Sequence, residues 1–353
     1  DYEVVVRIAD ASVGLLGFIA IHSTDLGPGL GGTRIYPYRS EEEALTDVLR
    51  LAKGMTYKAA VAQVGLGGAK SVIILPEGGE KSRGLLHAFG RAVHHLKGKY
   101  ICAQDVGCNP SDIETILEAT PYACGVYDLR GGGDPSSFTA WGTYCAIRST
   151  FKELTGSNCI KGKSIVVQGL GNVGGRLLDH LFWSGAQLSI GDIDSEKSRY
   201  YAHKYEAKWY PEEEIFDVPC DLFSPNALGG ILYSENIDRL DCRAVVGAAN
   251  NQLLSHEDSD RLHDKGILYA PDFVANAGGL INVVSELEEC GYSASKARNM
   301  TEQIGESLQH IYFQSKEQGL STDHIARNLA EGYLNSGYGR RTSPLSFRLD
   351  KSL

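Results

Sequence analysis

The sequence lacks any apolar run approaching the roughly 18–20 residues a membrane helix needs, which excludes a helical membrane span. It lacks a basic excess as well: 34 Lys and Arg stand against 44 Asp and Glu, a net charge of −10. With no basic block to offset that charge, nucleic acid and anionic membrane are excluded as expected partners. No two of its eight cysteines form a CxxC pair; Cys102, Cys108, Cys124, Cys145, Cys159, Cys220, Cys242 and Cys290 are scattered singly. Both a metal cluster and a disulfide framework need closer or patterned spacing, so neither is expected. Most sit beside apolar or small residues, as reduced small hydrophobes of an intracellular, cytoplasmic protein do. The opening residues, Asp1-Tyr-Glu-Val-Val-Val-Arg7, lack the charged-then-apolar pattern of a secretory signal. They also lack an initiator Met, which leaves room for residues upstream. No internal repeat or low-complexity tract is found.

What is present is ordinary globular composition, 42% hydrophobic and 22% charged, in 353 residues, enough for two cores. Val4-Val5-Val6 and Leu16 to Ile21 read as strands. Ser40 opens a helix through Ala44, Leu45, Val48, Leu49, Leu51 and Ala52. A glycine-rich turn is expected before an apolar strand, Ser71 to Leu75, then a helix over 82–97, a short strand over 99–103 and a helix from Pro110. Arg130-Gly-Gly-Gly-Asp-Pro-Ser-Ser137 is the candidate linker. Beyond it come a helix over 138–154, strands near 220–223, 243–247 and 267–270, a mostly helical stretch over 286–318, and a helix over 322–336. The tail after Gly337 is polar with a basic lean.

Lys163-Ser-Ile-Val-Val-Gln168 runs into Gly169-Leu-Gly171-Asn-Val-Gly174, then into a helix over 175–183. A second strand, Gln187 to Ile190, leads to Asp192. This is the dinucleotide-binding fingerprint in its strand–turn–helix context. Gly169 permits the tight turn, Gly171 lets the backbone approach a pyrophosphate, and Gly174 lets helix and strand pack closely. The helix N-terminus offers N–H groups and a positive dipole end to the phosphates. Asp192 would accept hydrogen bonds from both ribose hydroxyls and repel a 2′-phosphate, and Ile193, Asp194 and Ser195 beside it bring no cation. NAD is therefore favoured over NADP. Asp194-Ser195 reads as the cap of the next helix.

Two lysines occupy unusual contexts. Lys58 closes Lys53-Gly-Met-Thr-Tyr-Lys58, and Lys70 closes Gly65-Leu-Gly-Gly-Ala-Lys70. A lysine at the mouth of a buried strand should lose solvation, bringing its pKa toward the range of a general base; the competing reading is a solvated lysine ending a turn. Asp105, in Gln104-Asp105-Val106-Gly107, ends a strand and reads either as a turn-former or as a proton shuttle. Gly247-Ala-Ala-Asn250-Asn251 and Asn276-Ala-Gly-Gly279 follow strands of the nucleotide domain. They read either as turn chemistry or as the lining of the nicotinamide end of a site beyond the strand ends.

Seven motifs, in order, carry a resemblance covering nearly the whole chain: Gly27-Pro-Gly-Leu-Gly-Gly-Thr-Arg34, Lys53 to Lys58, Gly67-Gly-Ala-Lys70, Gln104 to Gly107, Gly169 to Gly174, Gly247 to Asn251, and Ala270-Pro-Asp-Phe-Val-Ala-Asn-Ala-Gly-Gly279. The chain resembles the leucine/phenylalanine/valine dehydrogenases, with the tryptophan enzymes among them, of the glutamate dehydrogenase superfamily. The resemblance implies an α/β fold: an N-terminal α/β substrate and oligomerisation domain over 1–133, with 323–353 packing back on it. A doubly wound Rossmann-type NAD domain over 134–322 would follow, with a cleft between the two. It implies NAD-dependent, reversible oxidative deamination of an apolar L-amino acid to the 2-oxo acid and ammonia, in a homo-oligomer.

By the same resemblance Lys58, with the backbone of Gly31 and Gly32, would clamp the substrate carboxylate. Lys70 would be the general base activating water, with Asp105 its proton-transfer partner. Asn276 would bind the substrate. Thr139, Asn250 and Ala248 would border the nicotinamide, and Asn172, Val173 and Ile193 would join the fingerprint glycines and Asp192 around the cofactor. Leu30, Ala103, Leu280 and Val283 would wall the side-chain pocket; all four are uncharged, so an acidic side chain there would be buried unpaired. Leu30 and Ala103 resemble the branched-chain enzymes. Gln104-Asp105, Gly229-Gly230-Ile231 and Gly279 to Asn282 resemble aromatic-preferring members. Two departures stand out: Ala69 takes the place of a glycine before Lys70, and Gln104 that of a glutamate. Neither removes an implied catalytic group. Two other readings remain: a non-catalytic NAD- or amino-acid-binding protein on the same fold, and an enzyme in which Lys70 forms a Schiff base.

Overall fold

The computed structural model describes residues 2–126 and 131–347. The chain divides into two compact units: Asp1–Asp134 with Asn282–Ala294 and Ala330–Leu353, and Pro135–Ile281 with Ser295–Leu329. The family of α/β folds expected from the sequence is the one observed, with a mixed sheet in the first unit and an all-parallel sheet in the second.

The first unit runs β1 (Val4–Asp10), β2 (Leu15–Ser23), β3 (Gly29–Tyr36), α1 (Glu41–Val61), β4 (Gly67–Ile74), α2 (Arg83–His95), β5 (Tyr100–Gln104) and α3 (Pro110–Leu117). Its strands lie in the order β1-β2-β4-β3-β5; β2 is antiparallel to β1 and β4, and β3 is parallel to β4 and β5. Successive side chains of a strand point to opposite faces, and here both faces are buried. Phe18, Ala20 and Val72 pack against Ala44, Val48 and Ala52 of α1. Ile19, Ile21 and Ile73 pack on the other face against Leu85, Phe89 and Val93 of α2 and Ile113 and Ile116 of α3. Ser40 caps α1 by accepting from Glu43 N at 3.1 Å, as its Ser-Glu-Glu-Glu start predicts.

Two sequence expectations change here. The helix from Ser40 continues to Val61, so Lys58 lies in its last turn. The glycine-rich stretch before Ser71 is strand from Gly67 onward, not turn, and Lys70 sits in mid-strand. The glycines serve close packing: a Cβ on Gly67 would collide with the Ser23 carbonyl, and one on Gly68 with the backbone N of Thr56 in α1.

The second unit runs α4 (Ser136–Thr155), β6 (Ser164–Gln168), α5 (Asn172–Trp183), β7 (Gln187–Gly191), α6 (Ser195–Tyr205), β8 (Lys208–Trp209), β9 (Leu222–Pro225), α7 (Ser234–Arg239), β10 (Ala244–Val245), α8 (Glu257–Asp264), β11 (Leu268–Tyr269) and α9 (Asp272–Ala275). Then follow α10 (Gly278–Val284), α11 (Ala294–Glu302), α12 (Ile304–Gln318) and α13 (Thr322–Ser336), the division between units falling inside α10, after the first residue of α11, and inside α13. All strand pairs are parallel, in the order β11-β10-β9-β6-β7-β8. Numbered from β6 this is 3-2-1-4-5-6, the doubly wound order, whose winding reverses between β6 and β9. No helix among the described residues is long and apolar enough to cross a membrane.

Candidate functional site

In the first unit β3 lies between β4 and β5, and its two central glycines set how close those strands come. A Cβ on Gly31 would collide with the Ala69 carbonyl, and one on Gly32 would come within 2.8 Å of the Asp105 Cβ. Lys70 on β4 and Asp105 at the end of β5 are thereby drawn together across β3, Lys70 Nζ to Asp105 Oδ2 at 2.8 Å. Lys70 is 6% exposed. A buried ammonium needs a counter-charge, and Asp105 supplies it.

The carboxylate is shared. Arg34 Nε donates to the same Oδ2 at 3.1 Å, and Arg34 Nη1 donates to Asp47 Oδ2 at 2.9 Å. Tyr38 OH donates to that Asp47 oxygen at 2.7 Å. Burial alone would raise the Asp105 carboxyl, but the Lys70 ammonium and the Arg34 guanidinium outweigh it and hold it below its ordinary range. Arg34, Asp47 and Tyr38 were missed as site residues. Arg34 stood inside a quoted motif, yet its partners lie 13 and 71 residues away along the chain.

The remaining first-unit candidates have their own settings. Gly31 offers its carbonyl to Tyr100 OH at 3.0 Å, and that hydroxyl also bonds Ser71 Oγ at 2.8 Å. Leu30 is 2% exposed and Ala103 pairs with Gly32 across β3 and β5. Gln104 Nε2 donates to the Gly125 carbonyl at 2.7 Å, and Lys58 and Val283 are half-buried.

In the second unit each fingerprint glycine has its own geometry. Gly169 has φ +89° and no room for a Cβ beside Ala227. On Gly174 a Cβ would collide with the Gly169 carbonyl, whereas one on Gly171 would meet nothing within 4 Å. Space therefore opens in front of Gly171, where α5 begins and its first N–H groups have no acceptor in the helix. Asp192 Oδ2 accepts from Leu170 N at 2.6 Å and its Oδ1 from Asp194 N at 2.9 Å, which ties the carboxylate to the glycine turn. Beside it Ile193 is 84% exposed, and Lys197, the nearest cation in sequence, faces Asp194 at 3.9 Å. Asn172 is exposed and Val173 half-buried at the start of α5.

The C-terminal ends of β6, β9 and β10 are laced together. Asn226 N donates to the Gln168 carbonyl at 2.7 Å, and Ala248 N donates to Asn226 Oδ1 at 2.9 Å. Asn276 Nδ2 donates to the Ala248 carbonyl at 3.1 Å and to Asn250 Oδ1 at 2.9 Å. Asn276 Oδ1, by contrast, is buried with no partner among the described residues. An orphaned acceptor at the strand ends is costly unless a ligand donor reaches it. Thr139 Oγ1 donates to the Pro135 carbonyl at 3.0 Å and crowds Gly279, and Leu280 is half-buried on α10. The cradle at Gly171 and the Asp192 carboxylate fit a dinucleotide.

Residues 2–122 match the model of the Glu/Leu/Phe/Val dehydrogenase dimerisation domain, and residues 189–330 that of the glutamate/leucine/phenylalanine/valine dehydrogenases. A leucine dehydrogenase of Geobacillus stearothermophilus is 42% identical over 332 residues, 94% of this chain and 90% of that one. An L-tryptophan dehydrogenase of Nostoc punctiforme is 44% identical over 320 residues, 90% of this chain and 89% of that one. A crystal structure of L-tryptophan dehydrogenase from Nostoc punctiforme is similar with a TM-score of 0.84 at 41% identity, covering 95% of this chain and 96% of that one. The chain belongs to the Glu/Leu/Phe/Val dehydrogenase family, a family of pyridine-nucleotide oxidoreductases, and is an amino acid dehydrogenase.

Proposed function

We propose that the chain catalyses the reversible, NAD-dependent oxidative deamination of an apolar L-amino acid to its 2-oxo acid and ammonia. The observation that carries this reading is the Lys70–Asp105 pair at 2.8 Å, a buried mid-strand lysine against a half-buried carboxylate just past β5, placed to transfer a proton. Lys58 and the backbone of Gly31 and Gly32 hold the substrate carboxylate. Bound NAD would supply the hydride acceptor for the substrate Cα. Water then adds to the substrate imine. Lys70 takes a proton from that water as it hands one to Asp105, which passes it on. The carbinolamine collapses to the oxo acid and ammonia. Arg34 keeps Asp105 ionised and aimed at Lys70.

Around the cofactor, Gly169, Gly171, Asn172, Val173 and Gly174 take the pyrophosphate. Asp192 and Ile193 take the adenosine ribose end, and Thr139, Ala248 and Asn250 the nicotinamide. Asp192 without a free neighbouring cation supports NAD over NADP. Asn276 supplies an acceptor to the substrate amino group. Leu30, Ala103 and Val283 of the first unit face the substrate side chain; their lack of charge, which Leu280 shares, supports an apolar substrate, since a second carboxylate would be desolvated without a partner. The match to a dimerisation domain supports a homo-oligomer, and the scattered thiols support a cytoplasmic setting.

The test is NADH appearance at alkaline pH with leucine, valine, phenylalanine, tryptophan and glutamate. Turnover with at least one apolar amino acid and none with glutamate is expected. Measurable NAD binding without turnover on any of them would defeat the proposal.

A further inference from the structure

We propose that Cys220 and Cys242 form a reversible dithiol–disulfide site at the base of the second unit's sheet, reactive toward small-molecule disulfides. The two thiols are 22 residues apart in sequence and belong to no motif. The sheet brings them together. β9 and β10 run parallel, with Leu222 opposite Ala244 and Phe223 opposite Val245. Two residues back toward the N-terminal ends of the strands, Cys220 lies beside Cys242. There the Cys220 N–H donates to the Asp241 carbonyl at 3.0 Å and the Arg243 N–H to the Asp221 carbonyl at 3.2 Å.

Neighbouring strands lie about 4.8 Å apart, inside the range of about 4.4–6.8 Å that a disulfide spans between Cα atoms. The two side chains branch from neighbouring strands at matched positions, and the Cys242 thiol together with burial raises the Cys220 thiol above its ordinary range. Both residues are only partly buried, at the rim of the core around Val166, Phe223 and Val245, so a small reagent can reach them. The backbone is firmly held, because Asp221 accepts from Ser164 N at 2.9 Å and Ser164 Oγ at 3.0 Å. By contrast Cys102, Cys108 and Cys124 are buried, while Cys159 and Cys290 are exposed.

Either thiol can open the exchange, Cys242 for example. As the thiolate it attacks one sulfur of the small disulfide; that S–S bond breaks, one small thiol leaves, and a mixed disulfide forms on Cys242. Cys220 then loses its proton to solvent, attacks the Cys242 sulfur and expels the second small thiol. In sum, two protein thiols and one small disulfide become one protein disulfide and two small thiols. The protein loses two electrons and two protons, and the small disulfide gains both. Both steps accelerate as pH rises, because the thiolate is the attacking form. The product staples β9 to β10 at the strand ends opposite those that lead into Gly169 and Ala248. Stability should therefore rise, with the chemistry little changed.

The experiment incubates the full-length protein with oxidised glutathione at pH 8, alkylates without reduction and maps the peptides by mass. A cross-linked Cys220–Cys242 peptide, reversed by dithiothreitol, is expected. The oxidised protein should show a thermal midpoint higher by several degrees and turnover within twofold of the reduced form. Cys220→Ser should instead hold a glutathione adduct on Cys242. Adducts on Cys159 and Cys290 with Cys220 and Cys242 still alkylatable would overturn the proposal. So would a glutathione adduct that persists on Cys242 in the unmutated chain.

Discussion

The two sheets use glycine in opposite ways. In the first unit the glycines lie inside strands, at Gly31, Gly32, Gly67 and Gly68, and let strand meet strand or helix so closely that a buried lysine finds its carboxylate across an intervening strand. In the second, Gly169, Gly171 and Gly174 lie at a strand end, where one turns the chain, one leaves open space and one lets a helix settle. The chemical groups follow the same division: Lys70 sits in mid-strand and buried, while Asp192, Asn250 and Asn276 sit in the segments after strands. A reacting proton needs fixed partners shielded from water, whereas a large ligand needs an open edge with unsatisfied backbone groups.

The comparison can be broken most severely at Lys70. Lys70→Ala should lower kcat by about 10³-fold, the scale of a lost general base, in steady-state assays of NADH formation. Next is Gly68→Ala, whose Cβ would collide with the backbone N of Thr56. It should lower stability by about 1–3 kcal/mol in denaturant unfolding, as overpacking does. Gly171→Ala, with nothing near its Cβ, should leave stability within about 0.5 kcal/mol.

Arg34→Met removes one of the two cations that hold Asp105 down. The expected outcome is a kcat lower by about tenfold, roughly 1.4 kcal/mol in the barrier. The acid limb of the kcat profile should also move to higher pH, a readout that a purely structural role for Arg34 would leave in place. Asp192→Asn should narrow the preference for NAD over NADP by about tenfold, measured as the ratio of kcat/KM values.

The smallest effect is on stability against pH. Asp105 and Asp323 both have carboxyls held below their ordinary range; burial raises each, and Lys70 and Arg34 beside Asp105, and the His256 hydrogen bond and Arg327 beside Asp323, more than compensate. Their pairing therefore stabilises the folded chain above the ordinary carboxylate range and is lost as pH falls through the lowered values. Thermal midpoints should be flat near neutrality and fall below about pH 4.

How much could be read in advance follows the same line. The turn at Gly169–Gly174 and the caps at Ser40 and Asp194 are written in adjacent residues, so strand, glycines, helix and cap were all legible. Gly67-Gly68-Ala69-Lys70 read as a turn because glycine marks turns and close packing alike, and only the position of Thr56 in α1 decides between them. Lys70 and Asp105 were legible as a pair through resemblance. The Arg34 link to Asp47 and Asp105 was not, since it depends on α1, β3 and β5 meeting in space. Nor was the return of Asn282–Ala294 to the first unit, where Glu286 accepts from the N–H groups of Gly125 and Gly132 at 3.0 and 2.8 Å.

The central claim is that the first unit carries the proton chemistry and the second holds the dinucleotide. Measuring kcat and NADH affinity side by side for Lys70→Ala and Gly171→Ala tests it most directly. The account predicts a crossed result. Lys70→Ala should lose about 10³-fold in kcat with NADH affinity within about threefold. Gly171→Ala should lose NADH affinity by at least about tenfold, with kcat at saturating cofactor nearly kept. Near-normal turnover by Lys70→Ala, or parallel losses of both quantities in both variants, would contradict it.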